Sequence, residues 1–128
     1  MDYHISKTLN LPFEEAIAAT TASLKRHGFG VLTDIDVQTT LKNKLDVSFR
    51  PYRILGACNP KMAHQALRLE DKIGTLLPCN VIVQQHEDGH VEVSAIDPVA
   101  SMQAIDREEL SRIAEAIRDM LRRVIEEI

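Results

Sequence analysis

Tryptophan is absent and aromatic residues make up only 4% of this 128-residue chain, so the stacking platforms that single-stranded nucleic acids use are missing. Charge points the same way. With 15 Lys and Arg against 19 Asp and Glu the net charge is −4, and the broad basic footprint of a nucleic-acid binder is not there. Nucleic acid is therefore not an expected partner. Cysteine is scarce too: Cys58 and Cys79 alone cannot build the disulfide framework of a small secreted protein and fit a reducing compartment. No apolar run approaches the roughly 20 residues that span a bilayer, and the chain does not open on a basic and then apolar leader. The expectation is a soluble, cytoplasmic protein with no membrane partner.

What is present is ordinary for a folded protein, 45% hydrophobic and 27% charged residues. A chain of this length buries roughly two-thirds of its unfolded surface and needs no metal or disulfide to hold a core. No repeat, low-complexity tract or linker interrupts it, which predicts one domain over residues 1–128.

Periodicity then orders the elements. Tyr3 to Lys7 alternates as a short strand, and Asn10, Leu11 and Pro12 offer a cap and a helix-starting proline. Phe13, Ile17, Thr20 and Leu24 make one helical stripe that Gly28 ends. Phe29, Val31, Thr33 and Ile35 alternate as a second strand sharing one face, and Asp36 caps a short helical excursion carrying Val37, Leu41 and Leu45. A third strand, Tyr52 to Cys58, is apolar on both faces and reads as central. Asn59 and Pro60 start a helix to about Leu69, and Ile73 to Pro78 is a loop.

The clearest hairpin joins Val81 and Val83 to Val91 and Val93. Keeping all four valines on one face selects a three-residue turn, Glu87, Asp88 and Gly89, with glycine in the left-handed position. That register pairs Val83 with Val93 and Val81 with Ala95, and sets His86 opposite His90. A last helix from about Asp106 to Glu127 lines up Leu110, Ile113, Ile117, Leu121, Val124 and Ile128. On its wet face Glu108 with Arg112, Asp119 with Arg123 and Arg122 with Glu126 stand four apart. The order β-α-β-(α)-β-(α)-β-β-α predicts an α+β fold, an antiparallel sheet under two long helices.

Arg50 to Pro60 (Arg-Pro-Tyr-Arg-Ile-Leu-Gly-Ala-Cys-Asn-Pro), followed by Leu76-Leu77-Pro78-Cys79-Asn80-Val81, resembles the signature of the family called domain of unknown function 302. The likeness extends to Gly28 through Thr33 and to Ser94 through Pro98, so it covers nearly the whole chain. It implies a curved antiparallel sheet backed by helices, of the TATA-binding-protein-like class, commonly in a homodimer. Fold does not give function, and the resemblance brings no established activity to any residue here. The chain itself adds Ile82 and Ile96 on the second face of the hairpin, apolar positions that suit a second copy.

Several places carry residue types that do chemistry. Cys58 ends a strand just before a helix N-terminus, where free amides and the helix dipole favour a thiolate; free cysteine is also among the most buried residue types, and packing is the commoner role. Cys79 starts a strand expected beside that of Cys58, and both are followed by asparagine. With His64 as a third ligand, the pair defines a thiol-redox or metal-handling alternative. His86, His90 and nearby Glu92 resemble a surface metal site, although hairpin-tip histidines ordinarily face solvent. Asp34, Asp36 and Asp97 are strand-end carboxylates; capping explains Asp36, and turn formation explains Asp97, which the register also sets opposite Cys79. Lys42, Lys44, Arg50, Arg53 and Lys61 form a basic cluster able to attract a small anion. No triad order, phosphate loop or metalloprotease helix occurs, so no cofactor is expected. The leading expectation is a homodimeric binding or accessory domain whose small-ligand or partner site gathers Arg53, Cys58, Asn59, Cys79, Asn80 and Asp97.

Overall fold

The computed structural model describes residues 2–128. Its strands are β1 (His4–Leu9), β2 (Gly30–Asp36), β3 (Tyr52–Cys58), β4 (Cys79–Gln85) and β5 (Val91–Ile96). Its helices are α1 (Phe13–Arg26), α2 (Val37–Leu45), α3 (Pro60–Leu69), α4 (Pro98–Ser101) and α5 (Glu108–Glu126), with a 3-10 turn at Ile73–Leu76 inside the expected loop. The strands form one antiparallel sheet in the order β1-β5-β4-β3-β2. The α+β class and the two long helices read from the sequence are both present, and α4 is an addition.

The valines set the register. Val83 pairs with Val93 and Val81 with Ala95, as their common face requires. These four are fully buried and meet Ile17 and Leu24 of α1 and Ile117, Leu121 and Val124 of α5 in one core. Val91 joins them, so one sheet face is covered. Burying such a side chain contributes roughly 1.5–3 kcal/mol. Between the two helices the buried Ser23 hydroxyl donates to the Val124 carbonyl at 2.7 Å. A second, smaller cluster holds Ala66 of α3, Ile73, Met102, Leu110 and Ala114, fastening α3 and α4 to the start of α5.

The long helices α1 and α5 leave the other face open, and α2 makes its strand contacts with β2 and β3. Cross-strand rows can be read from the register: Ile35, Ile54, Ile82, Ser94 and Ser6 in one, and Tyr52, Gln84, Glu92 and Thr8 in the next. The first row changes from isoleucine to serine halfway, where Ser6 and Ser94 share a 2.7 Å hydrogen bond.

Four expectations need correction. A bulge between Val31 and Thr33 breaks the alternation of β2. Val31 pairs with Ala57 on the covered face, whereas Thr33 pairs with Gly56 and Ile35 with Ile54 on the uncovered one; one extra residue, Leu32, reverses everything after it. Pro12 is the N-cap of α1, not its first helical residue, and no side chain caps that helix; the Pro12 carbonyl takes the Ala16 amide at 2.8 Å. β3 is interior to the sheet as expected, between β4 and β2, but burial on both faces does not hold along it: on the second face only Gly56 is buried, and Tyr52, Ile54 and Cys58 are half-buried. On α5 Glu108 does pair with Arg112 at 2.6 Å, but among the described residues Asp119 meets Arg118 and not Arg123, and Arg122 and Glu126 form no pair.

Candidate functional site

The residues expected to converge are placed by three different demands. Arg53 lies on the covered face near the opposite end of β3 from Cys58, register partner of Val83 and Asp36. Its Nε and Nη2 grip both Asp34 oxygens at 2.7 and 2.5 Å, with Glu14 of α1 at 3.9 Å. Those hydrogen bonds hold the Asp34 carboxyl below its ordinary range and push the guanidinium pKa up. Arg53 is thus a neutralised tie between β3, β2 and α1.

Asn59 and Asp97 are caps. Asn59 Oδ1 accepts from the Met62 amide at 3.1 Å at the start of α3, and Asp97 Oδ1 accepts from the Val99 amide at 2.9 Å at the start of α4. In each case a proline follows and leaves no stray donor. Gly28, at φ +85°, brings the backbone after α1 close under Asn59, where a Cβ would stand 3.2 Å from its Nδ2. Asn80 is exposed on the uncovered face opposite Gly56.

Cys58 and Cys79 do come near one another. Cys79 pairs with Ala57, so the two cysteine Cα atoms are one residue out of register on neighbouring strands, about 6 Å apart from strand spacing. Pleat alternation sends their side chains to opposite faces, which a disulfide cannot bridge without backbone movement. Both are free. They border a cavity of about 20 Å³, shared with Phe29, Ala63, Ala66, Pro78 and Met102, room for one water and no more. Cys79 is 7% exposed, and burial, with a smaller contribution from Cys58, pushes its thiol from 9.0 up to about 11. His64 is exposed on α3.

At the hairpin tip the expected neighbours meet. The His86 and His90 rings stack at 4.2 Å, His86 Nε2 lies 3.1 Å from Glu92 Oε1, and Gly89 takes φ +95° as the turn demands. His90 Nδ1 is 2.5 Å from Asp88, whose carboxyl is lowered chiefly by the His90 backbone amide. Each histidine is thus occupied with its own carboxylate. Among the described residues no group of three His, Cys, Asp or Glu side chains has metal-holding geometry. The basic cluster also disperses, since Lys42 pairs with Asp46 and Arg53 with Asp34.

Of the uncovered face the sequence indicates Ile82 and Ile96 on the hairpin but not the neighbours that the pairing sets beside Ile82. Ile35, Ile54 and Ile82 run across three strands on that face. Beside them α2 keeps no residue fully buried, and the end of its Val37, Leu41, Leu45 stripe is 65% exposed. Ile35 itself is exposed, and Leu32 and Val47 are further large apolar side chains left exposed on β2 and in the α2 to β3 connection. At the same end Arg50 folds over Gln84. The signal was in the sequence as Ile54 and Ile82 at alternate strand positions, but only the pairing shows that they adjoin.

Together these features define an α+β protein with a half-covered antiparallel sheet and no deep pocket at its cysteines. No helix is long and apolar enough to cross a membrane. Residues 5–128 match the family described as domain of unknown function DUF302, and the chain belongs to that family. It is similar to the crystal structure of an uncharacterized conserved DUF302 protein from Bacillus stearothermophilus, at 28% identity and a TM-score of 0.92, over 99% of this chain and 98% of that one. No curated protein matches it.

Proposed function

We propose that this chain is a homodimeric binding or accessory domain that works through the uncovered face of its sheet, with a second copy as occupant. The observation that carries this reading is the row Ile35, Ile54 and Ile82, contiguous across β2, β3 and β4 on the face that α1 and α5 leave open. Five strands about 4.8 Å apart, each about six residues of 3.4 Å, give roughly 500 Å² of projected area. With α2 added, this is of the order of the ~800 Å² that each partner of a standard interface buries. Only part of that area is apolar, the isoleucine row with Ile35 exposed and Ile54 and Ile82 half-buried, and a contiguous apolar strip rimmed by polar side chains is a common mark of an interaction site.

Light scattering on the wild-type protein and on Ile82→Gln at micromolar concentration tests it. A wild-type mass of two chains that falls toward one in the variant supports the reading. A wild-type monomer, or a variant that remains fully dimeric, overturns it. The thiol alternative has less support, because Cys79 is sealed and its thiol is harder to ionise than an ordinary one.

A further inference from the structure

We propose that Arg50, at the α2 end of the uncovered face, is a preformed receptor for an oxoanion, a carboxylate or a phosphate group. The inference deepens the reading of this face as a binding surface and adds the chemistry of what it binds.

The guanidinium is held in place before any ligand arrives. Its Nε donates to Gln84 Oε1 at 3.0 Å, and Gln84 is only 8% exposed. Its Cζ lies 4.5 Å from the Phe49 ring centroid and 5.5 Å from that of Tyr52, within the range of cation–π attraction. The aromatic rings are themselves in contact, 6.1 Å between centroids. An amide and two rings thus fix the plane of the fork, and ordering it is a large part of what anion binding by a free arginine would cost.

The fork is also left without its usual counter-charge. Arg53, three residues on, has Asp34 and Glu14. Among the described residues no carboxylate lies within 4.0 Å of an Arg50 nitrogen, and only its Nε makes a protein hydrogen bond. The nearest acid by register is Glu92, cross-strand partner of Gln84. It is held instead by His86 at 3.1 Å. Four Nη hydrogens on a part-buried, oriented, unneutralised guanidinium are the donor set that takes two oxygens of one oxoanion side by side.

The test follows the Arg50 side-chain Nε–H resonance by NMR while sodium acetate, and separately potassium phosphate, is titrated at constant ionic strength against chloride. It is run on the wild type and on Ile82→Gln, which opens the face without adding charge. A saturable shift of that resonance with either anion and not with chloride is expected. Global binding followed on backbone amides should weaken at least tenfold in Arg50→Gln and by less in Arg50→Lys, which keeps the charge and loses the fork. Acetate alone saturating the site identifies carboxylate ligands, and phosphate alone identifies phosphorylated ones. Binding to Ile82→Gln but not to the wild type places the site under the second copy. No saturable shift in either protein, or equal binding by Arg50→Gln, overturns the proposal. A monomeric wild type that still binds leaves the anion site standing and removes only the dimer.

Discussion

A Cβ placed on Gly56 would stand 2.2 Å from the Thr33 hydroxyl oxygen and 2.7 Å from Cγ of Pro78. Two neighbours from β2 and from the connection before β4 therefore close over β3 at the one position with no side chain. Gly56→Ala is expected to lower stability by about 1–3 kcal/mol, the usual cost of overpacking. Thr33→Ala in the same chain removes the nearer contact and should return part of the loss, leaving the share due to the Pro78 ring. Urea denaturation of the two single variants and the double variant measures this coupling; an unperturbed midpoint in Gly56→Ala would show that the neighbours yield freely.

Ser23 and Val124 join the two long helices by a buried hydrogen bond. Val124 lies in the last turn of α5, where the Glu127 amide goes to Arg123 and the Ile128 amide to Ile125, so Ser23→Ala leaves its buried carbonyl without a donor and is expected to cost roughly 1–3 kcal/mol. Thermal unfolding followed by circular dichroism reads the change, and a midpoint equal to wild type would mean that this oxygen finds another donor once the hydroxyl is gone.

The two thiols should differ sharply toward a reagent such as a disulfide-exchange chromophore. One equivalent, from half-buried Cys58, is expected to react in the native protein, and the second, from Cys79, only after denaturant is added. Rapid native reaction of both would revive the thiol alternative.

Alkaline pH should find the same buried thiol. Its folded-state pKa is raised from 9.0 to about 11, so the stability it contributes is fully present below pH 9 and is lost as pH rises through 11. The unfolded chain gives up the proton first, and linkage puts the loss at roughly 2–3 kcal/mol. Chemical denaturation between pH 8 and about 11 checks the slope. Cys79→Ala should flatten it, and an unchanged slope in that variant would assign the loss to other groups.

At acid pH the tie between Asp34 and Arg53 gives the opposite sign. Asp34 has its folded pKa lowered, so its contribution is present above the ordinary carboxylate pKa of 3.8 and fades as pH falls through the lowered value. The pair is partly exposed, so Asp34→Asn should cost under about 1 kcal/mol at neutral pH. The difference from wild type should vanish near the acid end of a pH-stability series; a constant difference would mean that the asparagine disturbs packing and not charge.

Much of the architecture was legible because local signals agreed with it. Asp36, Asn59 with Pro60, and the alternate valines of the hairpin each had one cheap structural solution, and each is found there. The faces of β2 were not legible, since nothing in Val31-Leu32-Thr33 marks where a bulge falls, and one inserted residue reverses the strand beyond it. The candidate site fared worse for a related reason. Polar residues near one another in a signature suggest one cluster, yet Asn59 and Asp97 answer to helix amides, Arg53 to Asp34, and Cys79 to the core. Arg50 and Gln84 lie 34 positions apart, and no local pattern could have joined them.

The bulge at Leu32 also bears on how copies of this chain can add to one another. β2 is an outer strand of the sheet, and an uninterrupted outer strand is a template on which strand after strand can be laid. The displaced pairing of Val31 and Thr33 interrupts that template on the β2 side of the sheet. Contact through the flat of the sheet, by the same patch on both molecules, satisfies itself at two copies and stops. Under the proposed pairing of two copies, the irregularity that hides the orientation of Ile35 from the sequence also makes the β2 edge a poor place for a further strand to add.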